Sequence, residues 1–221
     1  MASGEREAAE APSPSKPPAA VATDEELLLR CRDATDPEVV RRAIGTIAER
    51  HHPALIRYLH GYVGSRETAE DLAQEAFVRL YRHAREYREV AKATTWLYKI
   101  ATNLALNEIR DRRHRPRLSL DAPVSFRSTG RELGDGLADR RAPDPAAAAE
   151  SRDLRDRVKA AVDGIPEPYR AAILLCDLEG MSYQEAAAVL EVPVGTIRSR
   201  LFRARERFQE RMGASFGRGD L

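Results

Sequence analysis

The chain has 221 residues, of which 32% are charged, 43% hydrophobic and 6% aromatic, with a mean hydropathy of −0.51 and a net charge of +1. That length holds one large domain or two small ones, and a Leu-, Ala-, Arg- and Glu-rich composition with few aromatics favours helices over strands. No run of about 18 apolar residues exists, which excludes insertion into a membrane by a helix. The N-terminus lacks a basic-then-apolar leader pattern, and the two cysteines, Cys31 and Cys176, lie far apart in helical contexts. A cytoplasmic location with reduced thiols is expected.

Residues 1–22 are rich in Ala, Pro, Ser and Glu and read as a disordered tail. Thr23 and Glu26 form a T-x-x-E capping box that opens the first helix. The segment 36–64 predicts one or two helices, with Pro53 as a kink or break and Gly61 and Gly64 as its end. "SRETAEDLAQEAFVRLYRHA" predicts a capped helix whose apolar positions Leu72, Ala76 and Leu80 are spaced i, i+4, i+8. Opposite them Asp71, Gln74 and Glu75 form a polar face suited to protein docking. A di-iron site would need two E-x-x-H pairs, whereas the chain holds one, Glu49 to His52. No metal ligands are assigned.

The next helix, "TWLYKIATNLALNEIRDRRHR", is expected to be capped by Thr94 or Thr95. Leu97, Ile100, Ala101 and Leu104 point inward. Trp96, Asn103, Asn107 and Arg110 form an adjoining stripe that runs into a basic segment. Between residues 108 and 117 five Arg stand against Glu108 and Asp111, a local +3. An exposed ring beside amides and guanidinium groups suits unstacked bases and their phosphates; the competing assignment makes Trp96 a core residue at a helix start.

Residues 116–150 mix Pro, Gly and charge without periodicity and read as a flexible linker. Helical patterning returns over 151–213 and only a short tail, 214–221, follows. Here Ser182 and Glu185 form a second capping box that opens "YQEAAAVL", and "EVPV" turns the chain into "GTIRSRLFRARERF". Two short helices joined by a tight turn match a helix-turn-helix. On the second of them Ile197, Leu201, Ala204 and Phe208 share the core side, while Thr196, Ser199 and Arg203 lie opposite with Arg200 and Arg207 beside them. Residues 195–211 hold six Arg against two Glu, a local +4. A merely solvated helix more often alternates Lys with Glu, so DNA contact is favoured.

"DLAQEAFVRLYRH", "TTWLYKIATNLALNEIRDRRHR", "IPEPYRAAILLCDLEGMSYQEAAAVL" and "VPVGTIRSRLFRARERF" together resemble the extracytoplasmic-function (ECF) group of sigma-70-type RNA polymerase factors, in the same order and at compatible spacing. The resemblance covers about 23–115 and 150–212. It implies an all-α fold: a sigma region 2 helical bundle over 23–115 and a sigma region 4 helix-turn-helix over 151–213, joined by the linker. It implies that Asp71, Gln74 and Glu75 dock on the clamp helices of the polymerase's largest subunit, and that the flap of the core enzyme is a second contact. Trp96, Lys99, Asn103, Asn107, Arg110 and Arg113 would bind the single-stranded −10 element. Thr196, Arg198, Ser199, Arg200, Arg203 and Arg207 would read the −35 duplex. An anti-sigma factor is a further candidate partner. In the loop before the tryptophan, Glu89 and Ala93 stand where many relatives have an aromatic and a Gly. No nucleophile–base set, phosphate-binding glycine loop or metal cluster is recognisable, so neither catalysis nor a cofactor is expected. The alternative is a free-standing helix-turn-helix transcriptional regulator with an N-terminal helical sensor domain.

Overall fold

The computed structural model describes residues 22–89, 91–114 and 145–216. Eight α-helices form in these residues: α1 (Asp24–Asp33), α2 (Pro37–Val63), α3 (Arg66–His83), α4 (Ala93–His114), α5 (Pro145–Asp163), α6 (Glu167–Ile173), α7 (Tyr183–Leu190) and α8 (Val194–Phe216). No strand is present among the described residues. Most of the expected tail (1–21), residue 115 of the expected first unit and most of the expected linker (116–144) lie outside them. The linker's last six assigned residues are helical, because α5 already begins at Pro145, where a proline suits the first turn.

Local chemistry explains most helix ends. The Thr23 hydroxyl accepts from the Glu26 N–H while the Glu26 carboxylate accepts from the Thr23 N–H, completing the capping box of α1. Asp36 caps α2 and Ser65 caps α3. Helix α2 runs unbroken through Pro53 and ends only at Gly64, whose φ of 77° is left-handed. Gly61 therefore lies inside α2 rather than ending it, for a tertiary reason. A β-carbon there would come within 2.8 Å of Leu174 Cδ2, so glycine permits the close approach of the C-terminal helices.

The start of α4 departs from expectation. Neither Thr94 nor Thr95 caps it: the helix begins at Ala93, and Thr95 is buried within its first turn. The Ala93 N–H instead donates to Glu25 Oε1 of α1 at 3.0 Å. An acid 68 residues away in sequence supplies the cap, which local spacing cannot reveal.

Helices α1–α4 enclose a core around Leu28, Ile47, Leu55, Tyr58, Leu59, Leu80 and Leu97, all fully or almost fully buried. Its polar groups are paired, as burial requires. Tyr58 Oη and Thr102 Oγ1 are 2.6 Å apart, and Thr102 Oγ1 donates to the Tyr98 carbonyl at 2.7 Å. Burial pushes the Tyr58 hydroxyl pKa well above its ordinary value. The C-terminal helices have a smaller core of Ile165, Ala172, Ile173, Leu201 and Ala204. Helix α6 passes into a π-helical turn at Leu174–Leu178, which widens the backbone before Gly180.

These two units do not stand apart on a tether. Ala171, Leu174, Leu175, Ala186, Ala187, Val189 and Ile197 belong to the same continuous apolar cluster as the core of α1–α4. Helix α7 packs against α4, and α2 meets the π-helical turn.

Neighbouring residues on α8 offer a direct check of this arrangement. Leu201 is 2% exposed and Phe202 is 70% exposed. Leu201→Ala is expected to lower the unfolding free energy by about 2–5 kcal/mol. Phe202→Ala should change it by no more than about 0.5 kcal/mol, both read from chemical denaturation.

Candidate nucleic-acid interface

Helix α4 carries the first candidate surface. Trp96, Lys99, Asn103, Asn107 and Arg110 recur every three or four residues and so form one stripe along it. Trp96 is half-buried, packed against the core with its ring stacked on Tyr87 at 5.6 Å between centroids. It is thus neither the fully exposed ring nor the fully buried core residue that the sequence leaves as alternatives. Asn103, Asn107 and Arg110 are exposed. Arg113 lies in the last turn of α4, and its side chain is outside the described residues. Arg112 pairs with Glu108 at 2.7 Å and donates to Thr68 Oγ1 at 2.6 Å, which ties α4 to α3. The basic end of α4 is therefore partly spent on holding the bundle.

The second surface is α8, presented by α7 and the turn between them. The Ser182 hydroxyl accepts from Glu185 N–H and the Glu185 carboxylate from Ser182 N–H, which fixes the start of α7. The turn then passes through Glu191 in a left-handed conformation, φ 53°. Gly195, Arg198, Ser199, Phe202, Arg203, Glu206 and Arg207 line the outward face of α8. The centre of that face is Ser199 and Phe202, flanked by Arg198 and Arg203.

Phe202 escapes the sequence reading, where it passes for one more apolar residue of a helix. Its position one residue after the buried Leu201 on the wheel is the available signal. Thr196 is half-buried, and its carbonyl accepts from the Ser199 hydroxyl at 3.0 Å. Arg207 lies over the Tyr169 ring at 5.6 Å. Arg200 turns away from the outward face and lines a cleft with Tyr62, Asn103 and Glu191. Arg205 grips Asp177 through two hydrogen bonds of 2.9 and 2.6 Å, so it holds α8 to the π-helical turn. That pairing raises the Arg205 pKa further above its ordinary value. Arg198 and Arg203 make no ion pair with any described residue.

A third surface is the outer face of α3. Asp71 and Gln74 are exposed and Glu75 is half-buried, pairing with Arg79 at 2.8 Å. Val78 and Tyr81 continue this side as partly exposed apolar residues. An acidic patch with apolar neighbours suits a basic, partly apolar protein surface better than DNA.

The α4 and α7 surfaces meet. Lys92 Nζ lies 2.7 Å from Glu185 Oε1, and Lys99 Nζ lies 2.7 Å from Glu191 Oε1. Tyr98 Oη donates to Glu179 Oε2, and Tyr62 Oη to Glu167 Oε1. Arg170 Nη1 donates to the Tyr62 carbonyl at 3.2 Å. Glu179 Oε1 is buried without a partner among the described residues, and burial raises the pKa of its carboxyl. Lys92, helped by the Ser182 hydroxyl and N–H, pulls the Glu185 carboxyl down to about 2. Because that value is depressed on folding, the stabilisation from Glu185 is complete above the ordinary glutamate range and is lost as pH falls toward 2. A carboxyl-carbon NMR titration should therefore find Glu185 ionised at pH ~3.5, and Lys92→Gln should move its midpoint upward.

Comparisons with known proteins match both the N-terminal and the C-terminal helices to known families. Residues 47–115 match the Sigma-70 region 2 family and residues 155–208 match the Sigma-70, region 4 family. The chain is 36% identical over 171 residues to the RNA polymerase sigma-H factor of Pseudomonas aeruginosa, covering 75% of this chain and 84% of that protein. It is likewise 36% identical over 167 residues to the ECF RNA polymerase sigma-E factor of Escherichia coli, with 75% and 84% covered. Among solved structures, CnrH in complex with the cytosolic domain of CnrY aligns with a TM-score of 0.58 at 22% identity, over 86% of this chain and 97% of that one. The sigma factor RpoE bound to the anti-sigma factor NepR from Bartonella quintana aligns with a TM-score of 0.57 at 22% identity, over 76% and 96%. These structural likenesses concern the fold.

Proposed function

Because the chain belongs to the ECF group of the sigma-70 family and is an RNA polymerase sigma factor, we propose a division of labour among its three surfaces. The observation that carries it is the presence on one chain of a tryptophan–amide–cation stripe on α4 and a separate Arg–Phe face on α8. Sigma factors are initiation factors rather than enzymes, and promoter recognition requires no bond-making group.

Asp71, Gln74 and Glu75 on α3 dock on the clamp helices of the polymerase's largest subunit, and α5–α8 meet the flap. Helix α8 enters the major groove of the −35 element. There Arg198 and Arg203 reach base edges and phosphates, while Phe202 is placed to pack against a thymine methyl. Ser199 and Thr196 stand at the groove end of the helix. Trp96, Lys99, Asn103, Asn107, Arg110 and Arg113 hold the separated −10 strand by stacking, amide hydrogen bonds and charge. Binding exposed bases favours the melted state over the duplex by its differential affinity for the two. An anti-sigma factor is a further partner of this reading, and the cytoplasm is where polymerase and promoter meet it. A free-standing regulator is not favoured, since the N-terminal bundle matches sigma-70 region 2 where that alternative needs a sensor.

Reconstituted transcription tests the proposal. Core polymerase plus this protein should start RNA at promoters that core alone ignores; no RNA from any genomic template would refute it. Arg203→Ala should weaken −35 duplex binding by about 1–3 kcal/mol, and Arg200→Ala by less, because Arg200 faces the cleft. Trp96→Ala should slow strand opening, followed by permanganate reactivity of unpaired thymines, more than it weakens duplex binding. Equal losses in both would count against the stacking role.

A further inference from the structure

The first turn of α4 holds no acidic residue, although the N–H groups at a helix start carry partial positive charge and need acceptors. Both needs are met from α1. Glu25 Oε1 accepts from the Ala93 N–H at 3.0 Å, so a carboxylate stands at the positive end of α4. Glu25 is half-buried, and its place is set by its neighbour. Asp24 accepts from Arg50 Nη1 at 2.6 Å and pairs with His51 Nε2 at 2.5 Å. Arg50 Nη1 also donates to the Ala22 carbonyl at 2.9 Å. The start of α1 is thereby pinned to the middle of α2, and Glu25 reaches α4 from a fixed base.

What this carboxylate holds is the turn that carries Trp96. The Trp96 N–H donates to the Lys92 carbonyl at 3.2 Å and closes that turn over Ala93. A second tie acts on the other side. The Tyr87 hydroxyl donates to the Ala91 carbonyl at 2.9 Å, and the Tyr87 ring stacks on Trp96. Tyr87 is buried at the end of the short turn Ala84–Glu86, which packs on α1. Burial first, then the Glu25 and Glu89 charges, raise its hydroxyl pKa above the ordinary range. One carboxylate of α1 therefore stands close to both supports of the indole.

Taking α4 as the −10 surface, we propose that Glu25 is a positioning residue for recognition of the separated −10 strand. It touches no base, and it sets the register of Trp96 through the first turn of α4. Part of that recognition is thus built into a helix that precedes residues 47–115, the span that matches Sigma-70 region 2. Helix α1 then does more than bury Leu27, Leu28 and Cys31.

Trp96 is the single tryptophan of the chain, so its fluorescence reports this site without a label. In the full chain, Glu25→Ala should raise the acrylamide quenching constant of Trp96 about twofold, as the first turn of α4 opens more often. With core polymerase, the same variant should slow promoter opening, followed by permanganate, about three- to tenfold, the range set by one charge-assisted hydrogen bond. Affinity for the −35 duplex should not change. Alanine is a strong helix former, so α1 itself is retained. Glu25→Gln keeps an acceptor oxygen for the Ala93 N–H and should recover most of both losses. Glu26→Ala breaks the capping box at the same end of α1 but leaves Glu25 in place, and should keep quenching and opening at the wild-type level. Unchanged quenching in Glu25→Ala, an equal rise in Glu26→Ala, or no recovery in Glu25→Gln overturns the positioning role. A freer Trp96 with promoter opening unchanged would leave the tie between Glu25 and the indole in place and refute instead the reading of α4 as the −10 surface.

Discussion

The packing of α7 on α4 fixes how the two candidate DNA surfaces stand relative to each other. Helix α4 is buried along a broad side: Leu97, Tyr98, Ala101, Thr102, Leu104 and Ala105 are all 7% exposed or less. The bundle α1–α3 accounts for part of that burial and the C-terminal helices for the rest, which is why the polar stripe is confined to a narrow strip. Its beginning is pinned by Glu25 at the first N–H and its middle by the Tyr58–Thr102 pair. A helix held this firmly can present Trp96 and Asn103 in a fixed register, as reading unstacked bases demands.

The same contact is built from terms of very unequal size. Exposed ion pairs such as Lys99–Glu191 contribute about 0–1 kcal/mol each. Glu179 opposes this packing, because a carboxyl group drawn out of water with one oxygen unpartnered costs more than its single hydrogen bond returns. The apolar contacts through Leu174, Ala186, Ala187 and Val189 supply the cohesion.

Much of this is legible from spacing. Both capping boxes, the core sides of α3, α4 and α8 and the helix-turn-helix follow from periodicities of three to four residues and from Thr23–Glu26 and Ser182–Glu185. What spacing cannot supply is tertiary. The cap of α4 comes from α1, Gly61 answers to Leu174, and Trp96 leans on Tyr87. The division of 23–115 and 151–213 into separate units rests on the composition of the intervening segment, which carries no information about whether the flanking helices attract each other. Arg200 is misplaced by the sequence for the same reason: a wheel drawn for α8 alone has one core side, whereas α8 borders two units.

The six arginines of α8 show how a sequence-level charge cluster is resolved by geometry. Arg205 is spent on Asp177 and stabilises the turn that carries the helix. Arg207 is partly held by the Tyr169 ring, and Arg200 faces the cleft. Arg211 comes so close to Gly164 that a β-carbon there would overlap its guanidinium. Arg198 and Arg203 remain on the outward side, with Phe202 between them, 70% exposed. An aromatic ring that exposed is not a packing residue, and no apolar neighbour among the described residues covers it. Its place between two outward cations suits a surface whose partner offers both phosphates and methyl groups, which is the combination a major groove presents.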